Sequence, residues 1–488
     1  MGVTIRSYHF LSRQGFLALL GLLVILIPAR GSVQPGATDY IYYTQAGDTP
    51  VALAARFRVR LEDILFGTPV AAEQLLSPGQ ALVIRGVPAA TSPAARLLPD
   101  SEVIYSPSAR DFDVAAYLKQ ADGFLSTHRE YLRSTGWTSA AEVVSRVALE
   151  NSINPRLLLA LLEYRCGCVL GELSAGQNPE FLMGIESSVR RGLYRQLGWV
   201  VNQLSLSYYG WRNGLLTDLV LLDGSTYVLA PDLNAGSVAL EYTLAQLVDR
   251  PTWQAAIEPH AGFWAVYQRM FGDPWQRASQ VEPLYPPNLA QPDMNLPFLP
   301  GAVWGFTSGP HKAWETSGAL AALDFAPGSV EEGCVSSSAW IVAVAGGVVA
   351  RSQFGAVVLD LDGDGSEQTG WAILYMHVAS ADRVTQGTRL EAGDLIGHPS
   401  CEGGPASGTH LHIARKYNGE WIGAAGPLPF KMDGWTPHTG FRPYEGTLNR
   451  EGQVVVASPY TPADSFISRP ISPDLPATRL TRDFWWDE

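Results

Sequence analysis

Beyond about residue 294 the chain is written in short runs of β-branched and aromatic residues punctuated by glycine, at 340–345, 348–351, 356–361, 371–377 and 410–415. Runs this short, with turn signals between them, are too brief for helices and predict an antiparallel sheet domain. Six of the nine histidines fall in this stretch. A sheet therefore has to form around them, and its pleat decides which of them can meet.

His410 and His412 form an H-x-H pair in GTHLHIA. On a strand, positions i and i+2 share a face, so both imidazoles can converge on one site. His377 ends the run WAILYMH, His311 follows a Gly-Pro turn, and Asp324 sits in AALDFAP. A carboxylate among apolar neighbours is costly unless a cation or hydrogen bonds compensate it. Two histidines and one carboxylate with an open fourth position suit a catalytic zinc ion, which lowers the pKa of bound water toward about 7 and polarises a carbonyl. No H-E-x-x-H is present, so a zinc helix of the thermolysin type is not available.

This set, from about 294 to 450, resembles the lysostaphin-type zinc endopeptidases, in particular their beta-lytic branch. That branch carries a Gly-Pro-His turn, a gap of about a dozen residues and an aspartate in a Leu-Asp-Phe-like context, and SGPH and ALDF here match it. The resemblance implies Zn2+ held by His311, Asp324 and His412. It implies His377 and His410 as general base and transition-state stabiliser, with the division between them open. IVAVAGGVVA, YMHVAS and VTQGTRLEAGDLIGHPS match the sheet that flanks the family's substrate groove.

The remainder reads as a modular, exported chain. Arg6 and Arg13 precede a twelve-residue apolar run, 16–27, too short for the roughly 20 residues of a membrane span. Residues 1–31 are expected to be a signal peptide, or an N-terminal membrane anchor if left uncleaved. Residues 40–86 read as strand, helix, helix, strand. With GDT, AARF and SPGQALVI they resemble the lysin motif (LysM), which binds N-acetylglucosamine-containing glycans, although FGTP stands where that family carries Asn. Four prolines mark 87–110 as a linker, and a second proline-rich linker spans 274–293.

Between these linkers, 111–273 has helical period, with a Ser139–Glu142 capping box and Asn154-Pro155 opening a helix. NSINPRLLLALLEYRCG resembles the start of a lysozyme-like lytic transglycosylase domain. Arg165 stands at the position of that family's catalytic glutamate, and Glu163 lies on another helix face. A glycosidase needs a carboxyl group there, so this all-α domain is expected to be non-catalytic. Cys166 and Cys168 are badly placed to bond each other within a helix. Cys334 and Cys401 share the last domain and are expected to pair in an oxidising compartment. Asp360, Asp362 and Asp364 match the start of a calcium loop, but its twelfth position is Trp371 rather than Glu, so a hairpin tip is expected. His398 and His438 have no partner motif and read as structural. The tail, 459–488, is expected to be a mobile extension with Trp485 and Trp486 as a docking end.

Composition bounds the function. Hydrophobic residues at 46% and charged residues at 17% exclude global disorder, and 34 Lys and Arg against 47 Asp and Glu, without a basic run, argue against nucleic acid. The expected class is multidomain α+β: a small βααβ module, an all-α lysozyme-like domain and an antiparallel sheet peptidase domain. The expected function is a secreted peptidoglycan hydrolase, a zinc endopeptidase of the stem or cross-bridge. The rival from another class is a non-catalytic envelope-binding scaffold that regulates a hydrolase.

Overall fold

The computed structural model describes residues 38–88, 92–314, 318–329, 332–469 and 471. The expected signal or anchor (1–31) and Trp485 and Trp486 lie outside the described residues. No helix of the described residues is long and apolar enough to cross a membrane.

The first module is a three-stranded antiparallel sheet in which Ala81–Val87 pairs with Thr38–Tyr43 on one side and Ile64–Leu65 on the other. One helix, Pro50–Phe57, covers it, started by the Thr49 side chain on the Ala52 N–H and by Pro50 in the first turn. The expected second helix is not there. Leu61–Asp63 makes one 3-10 turn and the chain goes straight into a strand, because Gly67 and Pro69 stop a helix before its second turn. Tyr42, Leu53, Phe57, Ile64, Leu82 and Ile84 form the small core. Buried Arg56 pairs with Asp48 and lies over the Trp211 ring, 5.2 Å from its centroid, so the module is seated on the helical region.

The helical region is built on Leu193–Arg212, flanked by Ala140–Asn151, Pro155–Cys166, Ala235–Ala245 and Gly262–Phe271. The Ser139–Glu142 box and the Asn154 cap form as their sequence directs. The region is not all-α: Arg129–Leu132 pairs with Gly136–Ser139, and Asp218–Val220 with Thr226–Val228. Nor is 87–110 a linker throughout, because Leu97, Leu98, Val103 and Ile104 are fully buried in the helical core. Its prolines start two 3-10 turns, Asp100–Glu102 and Pro107–Ala109, instead of an open connection. Likewise the second proline-rich stretch buries Pro274, Ala278, Leu284 and Tyr285.

Cys166 and Cys168 are bonded to each other, against expectation. The helix ends at Cys166, and Gly167, at φ 63°, turns the chain back so that Cys168 is no longer on a helix. Arg165 donates to the Met183 carbonyl at 3.1 Å. Glu163 accepts from the Val169 and Leu170 N–H groups at 3.1 and 3.0 Å. Glu163 thus closes this turn, while Arg165 is engaged by the loop at Met183.

The last domain is built on a nine-stranded antiparallel sheet. Along its path the order is Arg389–Leu390, Gly347–Gln353, Ala356–Asp360, Trp371–Met376, Leu411–Tyr417, Ala322–Pro327, Val303–His311 and Phe466–Ser468, and Glu420–Trp421 pairs beside Leu411–Tyr417. Residues 459–469 are therefore not a mobile tail: Phe466–Ser468 adds an edge strand on 303–305.

The pleat gives the sheet two different faces. Leu411, Ile413, Ile373, Tyr375, Leu323 and Phe325 pack into the domain's own core. On the opposite face Ala322, Val358, Ala372, Leu374, Met376 and Ala414 merge with the core of the helical region. Both faces are covered, which is why the central strands read as continuous apolar runs instead of alternating ones. A buried ion cluster fixes the contact. Arg212 lies 3.0 Å from both Glu420 and Asp100, and the Trp421 N–H donates to the Tyr209 hydroxyl at 3.0 Å.

Candidate metal centre

Five sequence-selected residues meet on the face that the helical region covers. His412 is the direct cross-strand partner of Asp324, and Met376 pairs with His412 from the other side. Leu411, which precedes His412, packs into the domain's own core, so the pleat turns His412 to the opposite face. His311 ends Val303–His311, whose register on Ala322–Pro327 shifts between Ser308 and His311 and so re-aims the last side chain. Gly309 is required in that strand. A Cβ there would stand 2.4 Å from the Glu445 carbonyl oxygen. His377 follows Met376 in the left-handed region at φ 65°, and its ring lies 4.4 Å from that of His410.

Backbone carbonyls fix one nitrogen of each of the four rings. His311 Nδ1 donates to Gly309 O at 2.8 Å and His412 Nε2 to Ala313 O at 3.0 Å. His377 Nδ1 donates to Glu402 O at 2.8 Å and His410 Nδ1 to Gly408 O at 2.7 Å. A carbonyl only accepts, so in the neutral rings the opposite nitrogen of each carries a lone pair.

Three of the resulting donor atoms crowd together. His311 Nε2 and His412 Nδ1 are 3.0 Å apart, and Asp324 Oδ1 lies 3.2 and 3.1 Å from them. Asp324 Oδ1 is buried and has no hydrogen bond. Two lone pairs and a carboxylate oxygen with no proton between them repel unless a cation sits among them. Ligands of a tetrahedral zinc ion at about 2.0–2.1 Å stand about 3.3 Å apart, close to the separations here. The donor set fits zinc.

The electrostatics are those of a cation site. Burial alone would raise the Asp324 carboxyl, but His311 and then His412 outweigh it and hold it well below the usual carboxylate range. Burial opposes charge on His311, yet the Asp324 charge lifts it above an ordinary histidine. His412 is lowered, chiefly by burial. His377 is pushed down to about 3 by burial and then by the two neighbouring histidines, so it is neutral at any physiological pH.

Other sequence-selected residues stay outside this centre. Asp360, Asp362 and Asp364 lie close to one another. Asp360 accepts the Asp362 and Gly365 N–H groups, and Asp364 pairs with Arg110 at 2.6 Å, so the turn is a hairpin tip tied to the helical region. His398 donates to Ala339 O at 2.8 Å in a structural contact. Cys334 and Cys401 are bonded, as expected. One residue was not legible beforehand. The Tyr444 ring stacks on His311 at 4.6 Å, brought there by the close approach at Gly309, which no local spacing announces.

A family profile described as "LasA, N-terminal domain" matches residues 96–287. Protease LasA of Pseudomonas aeruginosa, in strains UCBPP-PA14 and PAO1, is 28% identical over 353 and 354 residues, 67% of this chain and 75% of that protein. Among solved structures, the M23 metalloprotease pseudoalterin from the deep sea is 24% identical, covering 34% of this chain and 96% of that one, with a TM-score of 0.29. The catalytic domain of lysostaphin from Staphylococcus simulans is 21% identical, covering 25% and 87%, with a TM-score of 0.18. The chain is thus similar in sequence to Protease LasA over 67% of its length.

Proposed function

We propose that the sheet domain is a zinc-dependent endopeptidase that hydrolyses peptide bonds in the stem or cross-bridge of peptidoglycan. The observation that carries this is the meeting of His311 Nε2, His412 Nδ1 and Asp324 Oδ1 at 3.0–3.2 Å, with the other nitrogen of each ring already held by a backbone carbonyl. These three atoms would hold the ion. When bound, zinc supplies acidified water and a Lewis acid for the scissile carbonyl.

The protein's own groups supply the rest. His377 and His410 are fixed through Nδ1 and turn Nε2 toward the centre, with His410 Nε2 3.9 Å from Asp324 Oδ2. One of them takes the proton of the attacking water and returns it to the departing amine. The other donates to the developing oxyanion. The low pKa of His377 keeps it neutral, the form that a proton acceptor needs.

The first module is read as a glycan-binding LysM-like unit, with Leu61, Ile64, Phe66 and Val70 lining a cleft on it. Holding an insoluble polymer there raises the local concentration of peptide without altering the chemistry. Export through residues 1–31 places the chain outside the cell or in its envelope. The test is digestion of purified peptidoglycan, scored for new free amino groups and new reducing ends. Amino groups that vanish with chelator and return with zinc are expected. New reducing ends would move the activity to the helical region, and binding with neither product would favour a scaffold.

A further inference from the structure

His377 and His410 owe their orientation to one short loop. Glu402 O and Gly408 O, the two carbonyls that hold their Nδ1 atoms, both belong to residues 401–409, Cys-Glu-Gly-Gly-Pro-Ala-Ser-Gly-Thr. Three glycines in nine residues make this segment intrinsically loose, since glycine has the most backbone freedom to lose on ordering. It is nevertheless tied at both ends. At one end Cys401 is bonded to Cys334, 67 residues away. Next to it the Ser400 N–H and hydroxyl both donate to His377 O, at 2.7 and 3.0 Å. At the other end Thr409 Oγ1 donates to Val335 O at 2.5 Å and accepts from Val335 N at 2.9 Å, while Thr409 N donates to Gly333 O at 3.0 Å. Segment 333–335 is thus one anchor for both ends: covalent through Cys334, hydrogen-bonded through Gly333 and Val335.

We propose that the Cys334–Cys401 disulfide is a positioning device for the reaction, clamping loop 401–409 so that its two carbonyls hold His377 and His410 in the Nδ1–H form with Nε2 facing the metal centre. The zinc ligands do not depend on it, because the carbonyls that orient His311 and His412 belong to Gly309 and Ala313, outside the loop. The inference rests on the proposed peptidase reading for its kinetic consequence, not for its structural one.

The test uses the full chain carrying Cys334→Ser and Cys401→Ser together, with Thr409→Val as a second variant that keeps the disulfide and loosens the opposite end. Histidine imidazoles labelled with 15N report the Nδ1–H form directly, and zinc per chain, kcat and KM are measured alongside. The double variant is expected to retain zinc at the wild-type ratio and to lose the protected Nδ1–H signals of His377 and His410. Its kcat should fall about 10- to 100-fold, the range for loss of groups that orient a metal site's partners, with KM unchanged. Thr409→Val should shift the His410 signal and lower kcat less. The proposal is overturned if both Nδ1–H signals persist in the double variant, or if zinc is lost with activity, which would make the disulfide a staple of the whole domain. If the double variant does not fold, the same signals are read on the folded wild-type chain before and after thiol reduction of Cys334–Cys401. If the wild-type chain cuts no peptidoglycan, the peptidase reading fails, and the imidazole signals still decide this one.

Discussion

Titrating zinc into the metal-stripped chain should expel a proton from His311, and the number expelled should follow pH in a set way. Without a cation, three donor atoms stand 3.0–3.2 Å apart around Asp324 Oδ1. A proton on His311 is the one relief the site can supply. Burial works against it, but the Asp324 charge raises the ring above an ordinary histidine, while His412 is lowered and Asp324 stays ionised. The stripped site is then a His311 imidazolium beside a carboxylate. Because the folded pKa is raised, this pair stabilises the stripped protein fully below about pH 6.5, the unfolded value, and the contribution is lost as pH rises through the folded value. Zinc must displace the same proton. Close to one proton per zinc should appear below about pH 6.5, falling toward zero above the folded pKa, and in the acid range apparent affinity should fall up to about tenfold per pH unit. Calorimetry in two buffers of different protonation enthalpy counts the protons. Free zinc a thousandfold above Kd should also add about 4 kcal/mol of stability, read as a higher unfolding midpoint. Equal affinity with no buffer-dependent heat from about pH 5.5 to 8, a span that brackets the free histidine value, would show that His311 is not a ligand.

His412→Ala should abolish peptidoglycan cleavage and zinc binding while circular dichroism stays at wild type; cleavage at the wild-type rate would sink the ligand assignment. His377→Ala should retain zinc and lose about 10²- to 10⁴-fold in kcat. With His377 pushed down to about 3, a reaction that uses His377 as proton acceptor should show no acid limb near pH 6.5 at saturating zinc, and such a limb would give that role to another group. Arg212→Ala strands Glu420 and Asp100 as buried carboxylates between the helical region and the sheet, and should cost about 3–5 kcal/mol in urea unfolding with zinc content unchanged.

The candidate centre was legible because period-2 patterning and histidine placement are local signals. H-x-H on a strand puts two imidazoles on one face whatever the sheet packs against, and an aspartate inside an apolar run advertises a compensating charge. The errors fell where a neighbour overrules composition. Prolines at 87–110 suggest an open linker, yet Leu97 and Leu98 gain more from the helical core than the segment loses by ordering. The tail from 459 lacks periodicity, but an unpaired sheet edge at 303–305 recruits Phe466–Ser468 through backbone bonds that side-chain pattern does not encode. Cys166 and Cys168 looked mismatched because the helix was expected to continue through them, and the left-handed Gly167 ends it between them.

The sequence by itself determined the sheet and the helical middle, which follow from periodicity over a few residues, and the match of SGPH, ALDF and H-x-H to the lysostaphin-type pattern named the five residues to expect at one centre. Only the tertiary structure decided which nitrogen of each histidine faces the centre. That depends on carbonyls at Gly309, Ala313, Glu402 and Gly408, delivered by backbone path rather than by side-chain type. It also decided that the helical region packs on the same sheet face as His412 and Asp324. Both faces of those strands are apolar enough to be buried, and which partner covers which face is settled by long-range packing that no local pattern records.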